Sequence, residues 1–361
     1  MAVWCIPRSP EMESAAEAHF NYWRISGDED FRRLASYEVS DFLEIGVMLD
    51  DPSKIDRVCI YIPQTVDPKS VTDCSEHFSR PSIAQGIFNE VLSASASGRP
   101  GPRYIELRKG PEVFCRVYRF LNNGSQLDAS ELAVGSYAEG TLLTITRHAV
   151  DQTYTPETLA IPTYFRIRIR VGRAKDSAFV RTVPTPDRLL QSGYDEVEYI
   201  DFRLNEARTL PEQIEAMMRA DQANVGIKLR LVAFLTAVPV QSELSVSNPQ
   251  SHKLRLLEHE LWNDYVPGGI PEGMMVYHWK RDAPQGLSDF SAFVRLQTRR
   301  TGRSTLLKYL AIAFLFGVFG NLCASALEWT WGAVRDVGEP CPTRTMQSTA
   351  GETPMSGRVT R

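Results

Sequence analysis

Residues 164–171 read YFRIRIRV, with Arg166, Arg168 and Arg170 separated by Ile167 and Ile169 and flanked by Phe165 and Val171. In an extended chain successive side chains point to opposite faces, so this alternation places three guanidinium groups on one side and four apolar groups on the other. A helix would scatter both sets around its axis, so the stretch predicts a strand.

The same grammar recurs on either side. Phe42–Leu49 and Arg57–Pro63 are rich in apolar and β-branched residues and are separated by the turn signature Asp50-Asp51-Pro52, which predicts two neighbouring strands in one sheet. Tyr104–Arg108 and Val113–Leu121 flank Lys109-Gly110-Pro111 and predict a hairpin. Further strands are expected at Thr141–His148, Val197–Leu204, Ile227–Val240, Met274–Lys280 and Phe290–Gln297.

Helices are announced by end signals. Ser9-Pro10-Glu11 sets a cap residue before a first-turn proline and predicts a helix from Glu11 to about Trp23. Ser26 to Glu29 and Thr209 to Glu212 fit the capping box, the second opening an amphipathic helix with Leu210, Ile214, Met217 and Met218 on one face. A third helix is expected over His252–Tyr265, with Leu254, Leu257, Leu261 and Trp262 inward, ending before Pro267-Gly268-Gly269.

Beyond this body lies YLAIAFLFGVFGNLCASAL, Tyr309–Leu327, a run without formal charge. At 1.5 Å per residue its 19 residues reach the roughly 30 Å of a hydrocarbon core. Lys308 precedes it, and Glu328, Trp329 and Trp331 follow, flanks suited to the two headgroup regions. Upstream stand Arg295, Arg299, Arg300, Arg303 and Lys308, against Arg335 and Arg344 downstream, so the basic bias predicts a cytoplasmic body and a tail on the opposite side. The apolar run Ala2–Ile6 is too short for a secretory signal core. Ala313, Gly317, Gly320, Asn321 and Ala324 share one side of the helix, where small residues permit close approach of a second helix and Asn can hydrogen-bond across the pair. The stripe permits self-association, although it yields to a lone anchor as the expectation, because small-residue spacings recur by chance in membrane helices.

The expected architecture is therefore α+β: a strand-rich, sandwich-like cytoplasmic body with a few short helices, then one C-terminal transmembrane helix. Its expected divisions are 1–152 and 153–300, either two regions or one domain, then the membrane helix at 305–331 and a disordered tail at 332–361, rich in Pro, Thr, Ser and Gly. The internal boundary is placed in the polar, proline-containing stretch Asp151–Pro162.

Composition narrows the functional classes. A net charge of −4 argues against a general nucleic-acid binder, because phosphate neutralisation needs concentrated positive charge. The six cysteines are scattered without a CxxC pair, which fits reduced, buried thiols. Asn123-Gly124-Ser125 matches a glycosylation acceptor but reads as a turn on a cytoplasmic face. Glu258-His259-Glu260-Leu261-Trp262-Asn263 lacks the second histidine of a zinc-protease helix, and Cys74 with His77 lacks further ligands. The acidic run Asp28-Glu29-Asp30 suits a helix N-terminus, and Gly268–Gly273 suits a connecting loop. No phosphate loop, dinucleotide fingerprint or nucleophile elbow is present in the sequence, and no metal or cofactor is expected.

The one chemical signal is Arg166, Arg168 and Arg170, which could hold a phosphate-bearing or other anionic ligand. The competing expectation is a face whose arginines pair across strands with Glu196, Glu198 or Asp201. The leading functional expectation is a single-pass membrane protein whose body binds a partner protein or a small anionic ligand, as a sensor, scaffold or membrane effector. Its expected companions are membrane lipid and, through the helix, a second copy of itself. The alternative is a membrane-bound enzyme acting on a phosphorylated or lipid-like substrate, and a third reading lets helix oligomerisation disturb the bilayer.

Overall fold

The arginine-bearing stretch is an extended strand, Thr163–Gly172, near the middle of a ten-stranded sheet. The computed structural model describes residues 1–96, 103–155, 161–172, 177–183, 195–222, 226–299 and 303–336. The first half holds β1 (Ala2–Pro7), β2 (Glu13–Trp23), β3 (Asp41–Leu49), β4 (Ile55–Ile62), β5 (Val71–Asp73), β6 (Ser93–Ala96), β7 (Tyr104–Lys109) and β8 (Glu112–Tyr118). Next come β9 (Asn122–Asn123), β10 (Gln126–Leu127), β11 (Leu132–Tyr137), β12 (Gly140–Ile145), β13 (Thr163–Gly172), β14 (Val180–Val183) and β15 (Asp195–Leu204). The remaining strands are β16 (Gly226–Pro239), β17 (Ser242–Asn248), β18 (Lys253–Leu256), β19 (Met274–Asp282) and β20 (Phe290–Arg299). Between and after them run α1 (Glu29–Leu34), α2 (Pro81–Phe88), α3 (Arg147–Asp151), α4 (Glu212–Gln222), α5 (His259–Asn263) and α6 (Arg303–Asp336).

The large sheet has the order β18-β19-β16-β2-β3-β13-β8-β7-β6, with β5 also paired to β13. Two four-stranded sheets, β1-β4-β12-β11 and β14-β15-β20-β17, contribute to the same core. That core takes Ala16, Ala18, Phe20 and Tyr22 from β2, Leu43, Ile45 and Val47 from β3, and Phe165, Ile167 and Ile169 from β13. Val58 and Ile60 meet them from one smaller sheet, and Ile200, Phe202 and Val294 from the other. The alternation of β13 thus operates as its sequence predicts: its isoleucines enter the core and its arginines face away. Strands on both sides of residue 152 interleave in the large sheet, and the chain divides into two compact units, Met1–Thr301 and Gly302–Arg361.

Several expectations are corrected. Glu11–Trp23 is not a helix; β2 occupies Glu13–Trp23. Its alanines favour helix, but Ala16, Ala18, Phe20 and Tyr22 alternate with polar residues, and β2 is paired on both edges, in parallel with β16 and antiparallel with β3. Tertiary pairing overrides the local cap signal. The strands at Phe42–Leu49 and Arg57–Pro63 exist, but they lie in different sheets: β3 pairs with β2 and β13, whereas β4 pairs with β1 and β12. A 3₁₀ turn at Pro52–Lys54, capped by the Asp51 carboxylate, carries the chain between them.

The helix expected over His252–Tyr265 is confined to His259–Asn263, because Lys253–Leu256 adds to the large sheet as its edge strand. Leu254 and Leu256 are consequently 55% and 58% exposed, while Leu257 and Trp262 are buried as expected. The strand expected over Thr141–His148 stops at Ile145, where the Thr146 hydroxyl caps α3. At the Ser26 box it is the Asp28 side chain that accepts from the Phe31 amide and starts α1. The Thr209 box precedes α4, whose Ile214 and Met218 pack with Trp4 and Tyr61.

Helix α6 contains Tyr309–Trp331, which is long and apolar enough to cross a bilayer and has no buried residue. That character supports membrane anchoring. The tail after Asp336 and residues 156–160 of the expected internal boundary lie outside the described residues.

Candidate functional site

Strand register fixes a lattice of side chains on the outer face of the large sheet, opposite the core. On β2 this face carries Glu17, His19, Asn21 and Trp23, since their neighbours Ala18, Phe20 and Tyr22 enter the core. Across β16 and β19, His19 is level with Ala233 and Lys280, and Asn21 with Leu235 and His278. On the other side, His19 is level with Gly46 and Arg166, and Asn21 with Glu44 and Arg168. Lys253 of β18 stands opposite His278. Neighbouring strands lie about 4.8 Å apart, so chemistry separated by hundreds of residues is brought together here.

The three arginines read from the sequence separate into two environments. Arg166 and Arg168 are buried, and both bind Glu44: Arg166 Nη2 to Oε2 at 2.5 Å and Arg168 Nε to Oε1 at 2.8 Å. Arg168 also donates to the Tyr265 carbonyl at 2.8 Å, and Arg166 to the Tyr265 and Tyr164 hydroxyls at 3.2 and 2.9 Å. Burial alone would raise the Glu44 pKa, but the two guanidiniums outweigh it and hold the carboxyl below its usual range. The partner is Glu44, not the expected Glu196, Glu198 or Asp201. Glu198 binds Arg24, Asp201 binds Arg203, and the Glu196 side chain lies outside the described residues. Arg170 is exposed and lines a separate 180 Å³ depression with Tyr37 and Phe42.

Beside this layer lies a groove of about 500 Å³. Its sheet side is formed by Glu17, His19, Asn21 and Trp23 of β2, by Leu231, Ala233 and Leu235 of β16, and by His278 and Lys280 of β19. Ile87 and Phe88 of α2 form a wall, and Trp262 of α5 closes the apolar end. The two helices meet at Gly86, where a Cβ would lie 2.6 Å from the Trp262 ring. His252, Lys253 and Arg255 form the rim along β18, so three of the chain's six histidines converge on one groove.

The groove is wired to the buried layer through Tyr164. Its hydroxyl accepts from Arg166 and stands 3.3 Å from His19 Nδ1, to which it can donate its own proton. That tautomer leaves His19 Nε2 protonated, 3.7 Å from the Glu17 carboxylate. The arrangement needs Gly46, because a Cβ there would lie 1.9 Å from the Tyr164 oxygen. Burial tends to raise the Glu17 pKa, but His19 and Arg230 overcome it and hold the carboxyl at about 2. Burial first, then electrostatic repulsion from His252, Lys253, His19 and Lys280, pushes His278 down to about 4, so its imidazole is neutral at pH 7.

Among the described residues no cluster of three His, Cys, Asp or Glu side chains could hold a metal. Burial pushes the thiols of Cys5, Cys59 and Cys74 up to about 12, which removes them as thiolate nucleophiles. Ala313, Gly317, Gly320, Asn321 and Ala324 are exposed on α6, and beyond the helix's own adjacent backbone a Cβ on either glycine would meet nothing within 4 Å.

Most groove residues were invisible as a set in the sequence. Glu17, His19 and Asn21 fall in a stretch whose cap signal predicts helix, as do His252 and Lys253. The alternation Ala16, Ala18, Phe20, Tyr22 is the signal that could have exposed the first group. Fold and site thus define a strand-rich body with a half-polar, histidine-lined groove, followed by one helix able to cross a membrane. No protein-family model matches the chain, and comparison with curated proteins finds no significant match.

Proposed function

We propose that this protein is a membrane-anchored binding protein whose body lies in the cytoplasm and whose groove, rather than the arginine face, receives a small anionic ligand. The observation that carries the reading is the convergence of Lys253, Lys280 and three histidines on one 500 Å³ groove whose sheet side also carries Leu231, Ala233 and Leu235. Arg166 and Arg168 act beside it: two guanidiniums against one Glu44 carboxylate leave a net positive charge in a buried layer, and the field of that charge favours an anion in the groove. The basic residues before α6 support the cytoplasmic side, and the three-sheet core supports a sandwich-like body. The small-residue stripe of α6 supports self-association in the bilayer.

The test is a titration of the full chain in an uncharged detergent, read by the imidazole NMR signals of His252 and His278. Millimolar small carboxylates and phosphates should move them, and small cations should not. Unmoved signals with every anion would reject the reading.

The enzymatic alternative draws on the Glu17, His19 and Tyr164 contacts, which resemble a base with its orienting group. Turnover of an ester in the groove, lost in His19→Gln, would establish it.

A further inference from the structure

The groove's cations are not equivalent. Arg230 is bound to Glu17 and Asp50, and Arg255 to Glu258. Lys253 and Lys280 meet no carboxylate among the described residues, although both line the groove. Register sets Lys253 opposite His278, and Lys280 lies two residues along the same strand face. The His252 ring centroid is 6.2 Å from that of His278. Two free ammonium groups and two imidazoles therefore surround one end of the groove. Glu17 and Asp282, both level with Leu231, make the other end acidic and exclude an anion from it.

A carboxylate could neutralise only one of the two ammonium groups. A phosphate monoester carries close to two negative charges at neutral pH and three acceptor oxygens, matching two ammonium groups and two imidazole N–H donors. We propose that the groove is a phosphate-monoester site, with the phosphate held by Lys253, Lys280, His252 and His278 and the ligand's apolar body over Ala233 and Leu235 toward Trp23. This rests on the anion-binding reading above and names its ligand class. The phosphate belongs to a soluble ester or to a lipid headgroup.

The test uses the full chain in uncharged detergent, titrated by calorimetry with phenyl phosphate, benzoate and inorganic phosphate. Phenyl phosphate should bind most tightly. Lys253→Ala and Lys280→Ala, both at exposed positions, should each weaken it about tenfold, the loss of one charge-assisted contact, and Lys280→Arg should recover most of that loss. Reconstitution with phosphatidic acid against phosphatidylcholine separates the sources. A His278 signal shifted by phosphatidic acid assigns the headgroup, and one shifted only by added phenyl phosphate assigns a soluble ester; both support the site. Benzoate binding as tightly as phenyl phosphate would overturn the phosphate assignment and leave the anion reading standing. Phenyl phosphate affinity unchanged in both alanine variants would place the site elsewhere and overturn the proposal, and binding of no anion would remove both readings.

Discussion

Glu44 Oε2 accepts from Arg166 Nη2 at 2.5 Å, with both side chains wholly buried. Its other oxygen takes Arg168, so one carboxylate faces two guanidiniums in a buried layer. Removing one partner of a buried ion pair costs far more than the pair contributes, because the remaining charge has nowhere to go.

Glu44→Ala should therefore destabilise the body by roughly 3–5 kcal/mol, measured as a shift in the denaturant midpoint of the full chain in detergent. Arg170→Ala, at an exposed position of the same strand, should change it by less than about 0.5 kcal/mol. Equal shifts would show that water reaches the layer.

Gly46→Ala should cost about 1–3 kcal/mol, because its Cβ would occupy the space of the Tyr164 hydroxyl, 1.9 Å away, and the ring would have to move. The displaced hydroxyl would leave His19, so the His19 imidazole signal should shift even where the fold survives. An unshifted signal would show that Tyr164 does not set the orientation of His19.

Stability should depend on pH in two separable windows. His278 sits at about 4 in the folded chain against 6.5 unfolded, so the unfolded chain binds more protons between these values. This contribution is complete above about pH 6.5 and is lost as pH falls toward 4. Glu17 sits at about 2 against 4.5, so its contribution is complete above 4.5 and is lost between 4.5 and 2. His278→Gln should flatten the upper window and spare the lower; Glu17→Gln should do the reverse. Denaturant midpoints across pH 2–7 read both, and an upper window unchanged in His278→Gln would remove that assignment.

Asn123 is exposed beside the turn at Gly124, so the acceptor Asn123-Gly124-Ser125 is accessible to any machinery on its side of the membrane. With a cytoplasmic body it should stay unmodified in a eukaryotic host, while Gln347→Asn, which completes an acceptor with Ser348 and Thr349, should gain a glycan. Gel mobility before and after endoglycosidase reads the outcome. A glycan on Asn123 would reverse the orientation.

Legibility in the sequence followed the range of the interactions. The alternation of β13 and the uniform apolarity of Tyr309–Leu327 were readable because each repeats within a few residues. His252–Tyr265 misled because helical spacing of Leu254 and Leu257 coexists with an edge-strand role that only the presence of β19 creates. The arginines were placed on the correct face, but their partner, Glu44, lies 122 residues away from Arg166.

Side-chain period and length are local properties, so the chain read alone was enough to establish that the stretch 164–171 extends with its arginines and isoleucines on opposite faces, and that Tyr309–Leu327 is long and apolar enough to lie in lipid. That β2 is a strand, that Glu44 binds Arg166 and Arg168, and that His19, His252 and His278 share a groove came from the packed fold alone. Strand order and register set these contacts, and they arise when backbone hydrogen bonds join segments whose positions along the chain carry no mutual signal.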